Sequence, residues 1–470
     1  MEAFVGTAYF SVVIFLALIL VIFFGALLQL ERKRGHWMQM ALFPIIAMGI
    51  TAATLLSGRS LRNAAFDLSL GVDAGESVAA SATILRLLTF ALLSLCAARI
   101  AGQWLKKNHG APEGGMSLFV ALLTLFLSHN VLSSMFGTQP VFIHNLFYTI
   151  FAFAALYAAR RDPLEPVITT VKVTLYALML LSLVLCVTNP DMALQPGYKG
   201  WIPVVTVRLW GVGSNANSIG PLALLALLME YMQPTKMRSW RWICISMTLV
   251  VFLLAQSKTV WFVSILLIPV LAWYRAPRLA RGIDMRLALA IVVTLSAACL
   301  LVLVVDPISI WDKLSTTRAG SEAMTLTGRS QIWAVAIDEW SRNPLFGYGP
   351  AIWGPAYRMN IGMQFAFSAH NQFLQSLSAA GVIGLFSLMT YLGILGLAAY
   401  RGAPKTRGVS MAFFLIILFR CLSETPLNLN TLFNGDTLAH LVLFAIALRS
   451  NRNNDDPKYE PIRNFSLNKK

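Results

Sequence analysis

Apolar runs of about 20 residues recur along most of this chain, and that repetition limits what it can fold into. Crossing a hydrocarbon core about 30 Å thick takes roughly 20 predominantly apolar helical residues. The runs fall near 4–29, 37–56, 79–100, 117–136, 141–159, 167–188, 216–232, 240–256, 259–274, 286–305, 374–400, 409–423 and 436–449. Lipid offers no hydrogen-bond partner to an open backbone, so helices are the elements expected. The pattern predicts an all-α, polytopic membrane protein of about 12–13 transmembrane helices. Composition agrees: 12% of the residues are charged, against about 25% in a soluble domain, and mean hydropathy is +0.67. The first run is longer than a signal-peptide core and lacks a basic leader, so it is expected to be the first span. The transmembrane unit is expected to occupy 1–449, followed by a charged, Asn-rich tail at 450–470 expected to be disordered.

The net charge of +16 could suggest nucleic acid in a soluble protein. Here most of the basic residues lie in alternate connections: Arg32 to Arg34, Arg99 to Lys107, Arg160 and Arg161, Lys236 to Arg241, Arg275 to Arg286, Arg401 to Arg407, and the tail. The positive-inside rule assigns that set to the cytoplasm and removes the need for a nucleic-acid partner. The long segment 306–373, the stretch from Asn189 to Asn217 and the tripeptide Ser257-Lys258-Thr259 then share the opposite face. A single active site requires such convergence. The five cysteines, Cys96, Cys186, Cys244, Cys299 and Cys421, sit in apolar runs without metal or redox spacing.

The motifs that would imply other chemistry are absent. There is no G-x-x-x-x-G-K-[ST] loop for nucleotide phosphates and no H-E-x-x-H or clustered His/Cys set for zinc. No cofactor or metal is therefore expected. The outer segments instead carry cations: Arg208, Lys258 and Arg329, with Arg318 and Arg358 as further candidates. Guanidinium forks match phosphate oxygens and hold their charge at any working pH. Arg342 and Arg358 are read as solvated loop charges. His370, followed by Asn371, can accept a proton near neutral pH. Asn371 is placed to orient it or a substrate hydroxyl. His36, His109, His129, His144 and His440 are read as structural. Three charges fall within spans, where charge is costly. Arg420 is expected to pair with Glu424 four residues on, and Lys172 to snorkel. Arg86 has no sequence partner and is a secondary candidate for lipid-phosphate contact.

The order of these residues resembles the O-antigen ligase/Wzy polymerase superfamily of bacterial surface-glycan proteins. The resemblance rests on Thr327-Gly328-Arg329 with Trp333, then Pro344-Leu345-Phe346-Gly347-Tyr348-Gly349, then His370-Asn371-Gln372-Phe373-Leu374, then Gly381 to Gly384. Weaker support comes from Arg208, from Asn217-Ser218-Ile219-Gly220 and from Ser257-Lys258-Thr259. The resemblance implies a GT-C-like arrangement in the bacterial inner membrane, with 306–373 as a large periplasmic loop. It also implies metal-independent transfer of a glycan from undecaprenyl pyrophosphate. Arg329 looks like the family's phosphate-binding arginine, His370 like its catalytic histidine and Arg208 like its upstream periplasmic arginine. Lys258, Asn217, Asn371 and Arg86 complete the expected substrate-binding set.

Ser257-Lys258-Thr259 departs from the S-R-x common in ligases and, with Gly347-Tyr348-Gly349 and Trp353, looks more like exopolysaccharide polymerases. The expected activity is polymerisation of lipid-linked repeat units. The alternative is a ligase that transfers finished glycan to lipid A–core. Expected partners are the lipid-linked glycans, membrane lipids and a chain-length regulator or export complex. A lipid-linked oligosaccharide flippase is the rival of another class, and a structural role in an export complex is a third reading. Flippases bind near the midplane and often carry repeats, and no repeat is evident here.

Overall fold

The structure is a computed structural model in which residues 25–27, 29, 37–62, 79–105, 114–198, 202, 205–275, 329–427 and 429–450 are described. The expected spans 286–305 and most of 4–29, the tail beyond 450, Thr327, Gly328, Arg318, His36, His109 and Cys299 lie outside these residues.

Every span expected between 37 and 274 and between 374 and 449 is built on a helix. The first are α1 (Trp37–Leu55), α2 (Ala79–Trp104) and α3 (Met116–Phe126). A π-turn at Leu127–Leu132 carries α3 into α4 (Ser133–Phe136). Then come α5 (Tyr148–Ala158), α6 (Leu164–Thr188), α7 (Pro190–Ala193), α8 (Ala216–Met232), α9 (Arg238–Leu254) and α10 (Lys258–Arg275). After the undescribed stretch the order is α11 (Arg329–Arg342), α12 (Pro355–Asn360), α13 (Gln372–Gly402), α14 (Val409–Cys421) and α15 (Gly435–Ser450). Among the described residues the strand content is one antiparallel pair, β1 (Leu194–Pro196) with β2 (Val207–Leu209). Thr83–Trp104, Met116–Phe136, Leu164–Thr188, Lys258–Arg275 and Gln372–Gly402 are long and apolar enough to cross a membrane. The all-α, polytopic expectation is borne out. The 141–159 run differs in detail: it is α-helical only from Tyr148, after a 3-10 turn at His144–Phe147.

The centre of the bundle is α15. All of its residues except Asp436 are buried, and it packs against α13, α14, α8, α5, α6 and α1. A helix apolar all round is what such a position requires. Several polar groups that enter this core are paired. Tyr391 Oη lies 2.5 Å from His440 Nε2, and Arg99 Nη2 lies 2.8 Å from Asp162 Oδ1. Lys172 does not snorkel. It is buried, with Nζ 2.6 Å from the Gln233 carbonyl and 3.2 Å from Glu230 Oε2. An ammonium supplied with acceptors in place has no need to reach for water.

The segment from Arg329 to Asn371 is a small folded layer with its own core of Ile332, Ala336, Ile352, Trp353, Tyr357, Ala366 and Ala369, seated on Ala379 of α13. Arg358 is not a solvated charge as expected. It is 5% exposed, donates Nη1 to the Gln364 carbonyl at 2.5 Å and lies 4.1 Å over the Phe367 ring. Arg342 does behave as a surface charge, 57% exposed and paired with Asp338.

The glycine motifs fasten this layer to the bundle. At Gly381 the backbone of α13 leaves helical geometry, with φ 63°. The break frees carbonyls in the preceding turn. The Ser378 carbonyl accepts from the Tyr348 amide at 2.8 Å and the Ala379 carbonyl from the Gly349 amide at 3.1 Å. Val382 in turn donates to the Pro344 carbonyl at 2.9 Å. A Cβ on Gly381 would sit 2.3 Å from the Leu345 carbonyl carbon, and one on Gly347 2.6 Å from the Ser378 oxygen. Both glycines have positive φ. The P-x-x-G-x-G and G-x-x-G patterns are therefore two halves of one backbone joint.

Gly381→Ala is expected to lower the thermal unfolding midpoint of the detergent-solubilised protein clearly, since the backbone strain alone costs about 1–3 kcal/mol. Gly393→Ala, with nothing within 4 Å of the added Cβ, should leave it unchanged. Equal midpoints for the two variants in a fluorescence melt would refute the joint.

Candidate active site

Helix starts and one helix end converge to form the site. Asn215 caps α8 through a reciprocal capping box with Ser218, which places Asn217 in the first turn. The β1–β2 pair, with Gln195 opposite Arg208, places Arg208 beside it. The loop between β2 and α8 is pinned by Arg59, a buried guanidinium. Its Nε donates to the Met192 carbonyl at 3.0 Å, Nη1 to Gly213 at 2.6 Å and Nη2 to Gly211 at 2.5 Å. Desolvation by burial pushes its pKa down to about 10, so it still carries its charge at neutral pH. In the sequence Arg59 is indistinguishable from any other loop arginine.

The residues meet at Glu424, three positions beyond the end of α14. Its Oε1 accepts from Asn217 Nδ2 at 2.8 Å and from Arg329 Nη2 at 3.3 Å. Its Oε2 lies 3.1 Å from His370 Nδ1. Asn217 passes the connection on: its Oδ1 accepts from Arg208 Nη2 at 2.7 Å, and its backbone carbonyl accepts from Arg420 Nη2 at 3.0 Å. Arg208 also donates Nε to the Ala255 carbonyl at 3.1 Å and lies 4.7 Å over the Tyr198 ring. Its pKa is lowered by burial, against the opposing influence of Tyr198 and Glu424. For Glu424 burial alone would raise the pKa. The hydrogen bond and electrostatic interaction with His370, and the charges of Arg329 and Arg420, outweigh burial and hold it below the ordinary carboxylate value.

Glu424 is the residue of this candidate site that sequence reasoning missed. Its spacing suggested a local pair with Arg420. The structure gives Arg420 a different carboxylate, Asp436 at 2.5 Å. That frees Glu424 to face Arg329 and His370, which are distant in sequence. The one available signal was an acid following an apolar span on the expected outer face, and helical spacing explained it away.

His370 is held in an uncommon backbone conformation, φ 47°, of a kind that persists only when its surroundings over-determine it. The preceding peptide is fastened from both sides. Trp333 Nε1 donates to the Ala369 carbonyl at 2.9 Å, and the Ala369 amide donates to Gln375 Oε1 at 2.9 Å. The His370 amide donates to Ser368 Oγ at 3.2 Å. Asn371 is a helix cap. Its Oδ1 closes the start of α13, accepting from the amides of Phe373 and Leu374 at 3.0 and 3.1 Å. An oxygen so placed is not available to orient the imidazole. Arg329 opens α11, and Trp333 lies one turn further along the same helix.

Lys258 lies exposed at the first turn of α10. Its neighbours tie that turn to the cluster: Ser257 Oγ is 3.4 Å from Asn217 Oδ1 and Thr259 Oγ1 is 3.1 Å from Ser423 Oγ. Arg86 is not brought in. It is exposed on α2, a helix that packs on α1 and α5. Among the described residues, Arg208, Arg329 and Arg420 gather around two carboxylates, Glu424 and Asp436. That cationic excess favours an anion, and the fork of Arg329 is engaged by the described residues only at Nη2.

These features define a polytopic helical membrane protein with an Arg/His/Glu site at one end of its bundle. Residues 242–389 match the family model described as O-antigen ligase, which bears out the resemblance to the O-antigen ligase/Wzy polymerase superfamily over that segment. The matched stretch contains Lys258, Arg329 and His370, whereas Arg208, Asn217 and Glu424 lie outside it. No curated protein matches the chain. The family match supports an enzyme of the ligase or polymerase type in polysaccharide biosynthesis, acting on lipid-linked glycans.

Glu424→Gln removes the charge and keeps the shape. Glycan transfer is expected to fall by about 100-fold or more, equivalent to about 2.7 kcal/mol, while Glu424→Asp retains part of it. Stability has a pH signature too. Because the folded-state pKa is depressed, the contribution of Glu424 is complete above about pH 4.5 and is lost as pH falls through the lowered value. Melts across acid pH should show a shallower decline for Glu424→Gln than for wild type.

Proposed function

We propose that this protein polymerises undecaprenyl-pyrophosphate-linked repeat units into an exported polysaccharide, by metal-independent glycosyl transfer on the periplasmic face of the inner membrane. In this reading residues 1–449 form one transmembrane unit, and 306–373 is its large outer loop. The observation that carries the reading is the Glu424–His370 contact beside a cationic cluster. With Nδ1 holding its proton toward the carboxylate, the imidazole presents Nε2 as the base. Glu424 then stabilises the imidazolium that forms, as a buried carboxylate does for a catalytic histidine elsewhere.

The acceptor hydroxyl gives its proton to His370 Nε2 while its oxygen attacks the anomeric carbon. The bond from that carbon to the pyrophosphate oxygen breaks, and the pyrophosphate leaves with the electron pair. Arg329, Arg208 and Lys258 offset the charge gathering on the leaving group. Direct attack inverts the anomeric carbon. Lys258 supplies a point charge rather than a fork, a departure that favours a polymerase over a ligase. The ligase reading, transfer to lipid A–core, has its own support in the O-antigen ligase description of the matched family.

His370→Ala and Arg329→Ala are each expected to abolish product while the protein still inserts, and Arg329→Lys to be strongly impaired. The assay is purified protein with lipid-linked repeat units and a chelator, with products resolved on a gel. A ladder without any other acceptor supports polymerisation. Product formed only after lipid A–core is added supports the ligase. Normal chain growth in well-expressed His370→Ala would sink the base assignment.

A further inference from the structure

Between the charges of Arg208 and Glu424 stands one neutral side chain, that of Asn217. Its Oδ1 accepts from Arg208 Nη2 at 2.7 Å, and its Nδ2 donates to Glu424 Oε1 at 2.8 Å. A guanidinium only donates and a carboxylate only accepts, so each end of the amide can face only the charge it does face. Ser257 Oγ, 3.4 Å from Oδ1, closes the same side.

The Asn217 side chain is not what starts α8. That helix is capped by Asn215 and Ser218, and the bond to Arg420 comes from the Asn217 main-chain carbonyl. What the amide does is hold two opposite charges apart. Glu424 already acts on Arg208 through space, and opposite charges that are partly withdrawn from water attract strongly. Arg208 is free to turn toward the carboxylate once the amide is gone. Its Nε is held by the Ala255 carbonyl, whereas the described residues engage its Nη atoms only through Asn217.

A direct Arg208–Glu424 pair would neutralise both members. The guanidinium would have less charge for phosphate oxygens, and the carboxylate would be drawn from His370, whose Nδ1 lies 3.1 Å from Oε2. Arg208 is partly exposed, so an anion can reach it. We infer that Asn217 is a positioning residue that insulates Arg208 from Glu424, keeping the guanidinium for the phosphates of the lipid donor and the carboxylate for His370. The inference rests on the glycan-transfer reading. It gives Asn217 a role exerted through its two charged neighbours.

The test measures the affinity of undecaprenyl pyrophosphate, without sugar, for the full-length protein in detergent. Asn217→Leu keeps the approximate size and removes both hydrogen bonds; affinity should fall about tenfold or more. Adding Glu424→Gln takes away the carboxylate that captures Arg208, so the double variant should bind as tightly as Glu424→Gln alone. Asn217→Asp, closest in shape to the native residue, brings its own carboxylate to Arg208. Its affinity should also fall, and Glu424→Gln should not restore it. A residue with only a packing role would show no such rescue. Wild-type affinity in Asn217→Leu, or a double variant as weak as Asn217→Leu, overturns the insulating role. If wild type itself does not bind the probe, the failure lies with the glycan-transfer reading.

Discussion

The carboxylate of Glu424 is the point on which the site depends. Taking a carboxylate out of water costs several kcal/mol unless charges and donors surround it. Here Asn217, Arg329 and His370 supply the donors, and each comes from a different element. One oxygen pair thus holds the starts of α8, α11 and α13 in fixed relation to the end of α14. The same contacts that compensate burial also orient the imidazole, so structural and chemical demands fall on the same atoms.

Around this point the architecture is arranged to leave the carboxylate available. Asp436 at the start of α15 takes Arg420, the nearer cation in sequence. Arg59 ties down the loop ahead of α8 with backbone carbonyls alone, so that Asn217 arrives with its amide aimed at Glu424. Trp333 and Gln375 grip Ala369 from two helices, which lets His370 occupy a conformation that a free chain would leave. The glycine joint at Gly381 then docks the whole outer layer. Each device fixes a direction, and together they place a base, a carboxylate and cationic donors within a few ångströms of one another.

Much of the fold was legible in the sequence. Span length and hydropathy located most of the described helices within a few residues, because lipid imposes one length and one backbone solution on each crossing. Arg329, His370, Arg208 and Asn217 were legible as candidates because they stand in the motifs that carry the family resemblance. Other roles were not legible: Asn371 as a helix cap, Arg358 and Lys172 as buried cations, and the two glycine motifs as one joint. The sequence by itself determined which segments are helical and which chemistry is available between them. Only the tertiary structure decided that Glu424 faces His370 rather than Arg420. Pairing among charges depends on which helix ends meet in space, and a buried carboxylate takes the set of donors that best replaces its water, whatever their distance along the chain.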